Sequence, residues 1–130
     1  MIQFRLDRRS GMPVYRQLVD QVRQALQLGT LQPGDQLPTV REVVGQIAIN
    51  PNTVHRAYRE LEQEGLVQGR PGQGTFVQRS LVSVAPARQE ELRAELGVWT
   101  RRAGEAGLDA GAMEALLRSC LEDLERGVQR

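Results

Sequence analysis

Asn52, Thr53, His55 and Arg56 stand together in the segment INPNTVHRAYRELEQEG, Ile49 to Gly65. Their types suit recognition better than catalysis. An Asn amide donates and accepts side by side, as an adenine edge requires, and an Arg guanidinium matches the paired acceptors of a guanine edge or a phosphate. The material for catalysis is missing. His55 is the only histidine and Cys120 the only cysteine. Neither has paired carboxylates near it, so there is no nucleophile–base set and no zinc-ligand cluster. The glycine-rich PGQG run at 71–74 is too short for a phosphate cradle and lacks the lysine such a loop uses. We expect no enzyme activity, no cofactor and no metal.

Those four residues need a helix to present them. Asn50 is a good N-cap, and Pro51 fits the first helical position, where its missing N–H costs nothing. Val54, Ala57, Tyr58 and Leu61 recur at helical spacing and must face a core, and Gly65 stops the helix. At ~100° per residue, Asn52, Arg56 and Arg59 fall opposite that stripe, with His55 and Thr53 on its flanks. Arg59 and Gln63 lie further along, where a solvated face is the simpler reading. Upstream, Thr39 caps a short helix with Glu42 completing a capping box, and Val40, Val43, Val44 and Ile47 form its apolar face. The turn between the two helices is Ala48–Pro51. An earlier helix starts at Val14, carries Val14, Leu18, Val22 and Leu26 as its stripe, and ends at Gly29.

Before and after this set the period changes. Met1–Arg9 alternates apolar and polar residues, a short strand or extended arm. Leu66–Gln68 and Thr75–Gln78 bracket GRPGQG, a β-hairpin with an arginine and glycines at its tip. Ser80–Pro86 reads as a linker. Two helices follow, roughly Arg88–Ala106 and Ala110–Arg126, with Asp109 as the cap of the second.

The order of helices and hairpin predicts a mainly α chain with a small β-hairpin. It comprises an N-terminal winged helix-turn-helix, residues 1–79, and a linker with a two-helix dimerisation tail, residues 80–130. In such a fold the second helix of the pair enters the major groove of double-stranded DNA by its N-terminal end. The expected DNA-facing set is Thr39, Asn52, Thr53, His55, Arg56, Arg70, Gly72, Gln73 and Gly74. Arg70 would supply charge at the hairpin tip, and Gly72 and Gly74 would let the backbone approach. Charge agrees: residues 1–79 hold ten arginines and seven acids, +3, and residues 80–130 hold seven and nine, −2. All basic side chains are arginine, which a codon bias of the genome also explains. The chain has 130 residues, 40% of them hydrophobic and 25% charged, suited to a globular protein. No apolar run approaches the ~20 residues of a membrane span, and MIQFRLDRRSG lacks the apolar core of a signal peptide. A cytoplasmic location without membrane contact is expected. Cys120, among leucines, reads as a small buried apolar residue.

Four stretches make the chain recognisable: SGMPVYRQLVDQVRQAL, GTLQPGDQLPTVREV, INPNTVHRAYRELEQEGLV and RPGQGTFV. Together they resemble the GntR family of bacterial transcription regulators over about residues 3–78, and NPNTV with RAY, ELE and a short tail is similar to its YtrA-like subfamily. The resemblance implies DNA contacts by Arg41, by Asn52, Thr53 and His55, and at a wing tip around Gly72 and Gly74. Two positions depart from the family pattern. Gln73 stands where a basic residue is frequent, implying weaker phosphate binding by the wing. His55 stands where Ser or Arg often occurs, so no base preference carries over.

The tail poses a burial problem. Even with the two stripes facing each other, Leu92, Leu96, Trp99, Met113, Leu116, Leu117, Leu121 and Leu124 leave more apolar surface than one copy covers. Such a surface usually marks an interface. We expect a homodimer on a palindromic operator, with repression as the outcome. Fifty residues leave no space for an ordinary ligand pocket. A small-molecule effector, of unknown identity, would have to bind at the dimer interface or between tail and head. The competing reading is a protein-interaction module that uses the winged helix as a docking platform.

Overall fold

A computed structural model describes residues 1–127; residues 128–130, the end of the expected tail, lie outside the described residues. The chain forms two compact units, Met1–Ser83 and Val84–Arg130. The first holds α1 (Val14–Leu28), α2 (Val40–Ile47), α3 (Pro51–Gln63), β1 (Val67–Arg70) and β2 (Gly74–Val77). The second holds α4 (Pro86–Glu105) and α5 (Ala110–Glu125).

In the head each helix buries the stripe its spacing predicts. Leu18, Val19, Val22 and Leu26 of α1 close on Val54, Ala57 and Leu61 of α3, and Val43, Leu37, Leu66 and Val67 complete one core. The end of α1 and the start of α2 follow local chemistry. Gly29 ends α1 in the left-handed conformation, φ 79°, which costs glycine little. At α2 the Thr39 hydroxyl accepts from the Glu42 N–H at 3.1 Å, and the Glu42 carboxylate accepts from the Thr39 N–H at 3.1 Å. This capping box satisfies two otherwise orphaned donors.

The hairpin pairs Val67 with Val77 and Arg70 with Gly74. It also has a support outside the two strands. Residues 35–37 run along β2: Leu37 N–H donates to Thr75 O at 2.8 Å, Val77 N–H donates to Asp35 O at 2.7 Å, and Gln36 bridges to Phe76. The stretch is too short for an alternation of side chains, so its sequence carries no strand signature.

The N-terminal segment keeps its alternation, with Phe4 buried, Ile2 and Leu6 half-buried and Gln3, Arg5 and Asp7 exposed. Of the two readings, the extended arm is the one found. Its partner is the side of α1. Gln21 accepts from Arg5 N–H at 2.8 Å and donates to Arg5 O at 2.7 Å, and Gln17 accepts from Asp7 N–H at 2.9 Å and donates to Asp7 O at 3.1 Å. Four helical residues rise ~6 Å and two extended residues span ~6.6 Å. Glutamines at i and i+4 therefore match arm residues at i and i+2, and their amides stand in for a neighbouring strand.

The tail differs from expectation. α4 starts at Pro86, the residue read as the end of the linker. A turn at Gly107, where Leu108 N–H reaches Ala103 O at 3.0 Å, leads to α5, whose cap Asp109 accepts from Ala112 N–H at 2.9 Å. The two helices scarcely touch away from the turn that joins them, where the Met113 side chain lies over Gly104. Ala103 is the buried residue of α4, and α5 buries none. Cys120, expected to be buried, is exposed for the same reason: no second layer covers its helix. Among the described residues no helix is long and apolar enough to cross a membrane.

Candidate nucleic-acid interface

α3 starts where the Asn50 side chain accepts from Asn52 N–H at 2.8 Å, with Pro51 as the first helical residue. The cap turns the helix sharply out of the Ala48–Asn50 turn, in which Ala48 takes a left-handed φ of 50°. Core burial of Val54, Ala57, Tyr58 and Leu61 then fixes the rotation of the helix. Asn52, His55, Arg56 and Arg59 come out exposed and Thr53 half-buried. Asn52 and His55 make no side-chain hydrogen bond or ion pair among the described residues, so their donors and acceptors are free for a partner.

Arg41 is exposed on the first turn of α2. The carboxylate next to it in sequence, Glu42, is already engaged in the capping box. Arg41 itself has no ion pair among the described residues. The place of α2 relative to α3 is held from inside. Tyr58 donates its O–H to Pro38 O at 2.6 Å, just before the Thr39 cap, and burial raises this phenol's pKa above its ordinary value.

At the wing, Gln73 N–H returns to Arg70 O at 2.9 Å, closing a tight tip at which Gly72 takes φ 75° and Gly74 φ 127°. A Cβ on Gly74 would sit 2.5 Å from Gln36 Nε2, the group that donates to Gln73 O at 3.2 Å. Glycine thus suits the backbone there, and any larger residue would also displace the Gln36 amide. The Arg70 guanidinium lies 4.5 Å from the Phe76 ring centre, stacked along the wing.

Thr39, His55, Gly74 and Thr75 line one cleft of about 290 Å³ between α2, α3 and the wing, and Thr39, Arg70, Gly72, Gln73 and Gly74 line the adjoining one. Arg41, Asn52 and Thr53 line neither cleft; they lie along the first turns of α2 and α3. Arg56 is turned the other way, its guanidinium 3.8 Å over the ring of Tyr15 on α1. Arg59, read from sequence as solvated, shares the cleft with His55 one turn away. Its i+4 spacing from His55 was the available signal. Gln36 was not singled out, because nothing in a lone glutamine announces that it holds a wing tip.

Known proteins resolve what this arrangement is. The profile of bacterial regulatory proteins of the gntR family matches residues 14–77. The chain is 32% identical to the HTH-type transcriptional repressor YtrA of Bacillus subtilis over 94% of its own length and 95% of that protein's. The chain belongs to the GntR family. Within the GntR family it is of the YtrA type: the solved structure of YtrA from Sulfolobus acidocaldarius, described as a GntR-family transcription factor, is 27% identical. It superposes with a TM-score of 0.53 over 73% of this chain and 96% of that one. A further structural neighbour is the DNA-binding domain of AraR, solved in complex with operator ORE1. It is 27% identical, with a TM-score of 0.50 over 59% of this chain and 94% of that one. The protein is a DNA-binding transcription regulator with a winged helix-turn-helix head.

Proposed function

We propose that the protein is a repressor that binds a palindromic operator as a homodimer, with α3 in the major groove and the wing on the flanking groove or backbone. The observation that carries this reading is the exposed, capped start of α3, where Asn52 and His55 keep their hydrogen-bonding groups unused beside an unpaired Arg41. Asn52 and His55 read base edges, Arg41 and Thr39 hold phosphates at the start of α2, and Arg70, Gly72, Gln73 and Gly74 bring the wing against the backbone. Thr53 supports the cap and Arg56 borders the α1 side. The repressor assignment is supported by the name of the B. subtilis relative, and the operator by the AraR complex.

The dimer rests on the tail. Leu96 is 50% and Leu124 67% exposed, and Leu92, Leu116, Leu117 and Leu121 are all near half exposed. A second copy would bury these faces, with Trp99 and Met113, at ~25 cal/mol per Å² of apolar area before the costs of association. Two heads then read two half-sites, which raises specificity well above that of one. An effector, if the regulator has one, would act at this interface. Gel shift with the DNA upstream of the protein's own gene tests the reading. A retarded band that Arg41→Ala and Asn52→Ala abolish supports it; full affinity in both variants refutes the assigned surface, and no shift with any DNA favours the protein-docking alternative.

A further inference from the structure

The N-terminal arm ends in an arginine cluster that the helices and wing leave unassigned. Arg5, Arg8 and Arg9 are all exposed, and none has an ion pair among the described residues. The only carboxylate between them, Asp7, is occupied in shaping the turn, accepting from Arg9 N–H at 3.0 Å. This turn is fixed in place. Gln17 clamps both backbone groups of Asp7, and Ser10 accepts from Met12 N–H at 3.0 Å. Arg8 leans over the end of α2, with Nη2 3.4 Å from Ile47 O. Ile47 is the residue before the Ala48–Asn50 turn that launches α3.

The cluster has a side relative to the reading helix. On α3, His55, Arg59 and Glu62 border the wing. Arg56 and Glu60 border α1, through Tyr15 and Arg16. A helix seated in the major groove, ~12 Å wide, lies between two sugar-phosphate strands. The wing meets one of them. The arm turn, joined to the start of α1 and to the end of α2, stands on the other side.

We propose that Arg8 and Arg9 bind the phosphates of the strand opposite the wing, so that the docked arm is a second, sequence-independent clamp on the same DNA. This rests on the proposed seating of α3. Arginines on a held backbone turn lose less freedom on binding than arginines on a loose arm, and phosphate is the ligand that guanidinium groups without a carboxylate partner fit best. Gln17 and Gln21 are positioning residues for the clamp.

The test uses the full chain and a fluorescein-labelled 30-bp duplex that the wild-type protein selects from a random pool, with a scrambled duplex beside it. Affinity is measured by anisotropy from 0.05 to 0.4 M salt for wild type, Arg8→Gln/Arg9→Gln, and an Arg88→Gln/Arg93→Gln control that removes the same charge from α4. Loss of two phosphate contacts lowers the slope of log K against log salt by ~1.8, equivalent to ~60-fold weaker binding at 0.1 M. The loss should be equal on selected and scrambled DNA, leaving the specificity ratio unchanged, with the control close to wild type. A variant slope equal to that of wild type overturns the clamp while leaving the reading helix intact, as does a lowered melting temperature with an unchanged slope. A loss confined to the selected duplex also overturns it, because it would make Arg8 and Arg9 base readers. Failure of the wild type to bind any DNA removes the seating of α3 and the clamp together.

Discussion

Tyr58→Phe should cost stability, abolish most of the alkaline sensitivity of the head, and weaken DNA binding without touching DNA. The phenol donates to Pro38 O at 2.6 Å, and Pro38 is fully buried. Phenylalanine keeps the ring and its packing but leaves that carbonyl without its donor, which costs ~1–3 kcal/mol. For a unit of this size each kcal/mol shifts Tm by ~4–8 °C, so a fall of roughly 4–24 °C is expected. The same hydroxyl governs the pH response. Burial raises its pKa in the folded state above the ordinary ~10, so the folded protein holds this proton where the unfolded chain has released it. The stabilising effect is complete below pH ~10 and declines as pH rises towards the folded value, by at most ~1.4 kcal/mol per pH unit. Urea unfolding from pH 7 to 11.5 reads both effects: wild type should weaken above pH ~10, and the variant should start lower and run flatter. Because the bond ties α3 to the entry of α2, operator affinity should also fall by a few-fold, through the position of Thr39 and Arg41. Equal stability of the two proteins at pH 7, or parallel alkaline slopes, would refute the role of this bond.

Other consequences concern DNA and assembly. Asn52→Ala should weaken operator binding by roughly 5–150-fold, the range for one bidentate base contact of ~1–3 kcal/mol, with Tm little changed; anisotropy and thermal melts check it. Gly74→Ala places a methyl against Gln36 Nε2 and imposes a disfavoured φ, so the Gln36–Gln73 bond should be lost and ~1–3 kcal/mol of stability with it. Denaturant unfolding measures this, and an unchanged midpoint would show that the tip relaxes freely. A head ending at Ser83 should be a folded monomer with much weaker operator affinity, as read by sedimentation and gel shift. The cut must follow Ser83 because Leu81 packs on the head core. A dimeric head would contradict the role assigned to the tail.

How much of this was legible in the sequence follows from how local each determinant is. Thr39 with Glu42 and Asn50 with Pro51 are complete signals within a few residues, and both ends formed as their chemistry requires. The phase of Val54, Ala57, Tyr58 and Leu61 was likewise enough to say which face of α3 is outside. Non-local pairings were not legible. That Gln17 and Gln21 would hold the arm, or Asp35–Leu37 the hairpin, depends on contacts between distant segments that no periodicity records. The tail shows the opposite limit. Its leucines lie along α4 and α5, but amphipathicity says only that a face needs a cover; in this chain the two faces do not cover each other. At the site, exposure of Asn52 and His55 could be read from phase, whereas the stacking of Arg56 on Tyr15 could not.

The most direct test of the central claim, that the start of α3 reads base pairs, is sequence selection from a random duplex pool by the full chain and by its Asn52→Ala and His55→Ala variants. The account predicts a two-fold symmetric motif for the wild type, and for each variant a loss of preference at one or two positions repeated in both half-sites, the rest unchanged. Identical motifs for all three proteins would contradict it.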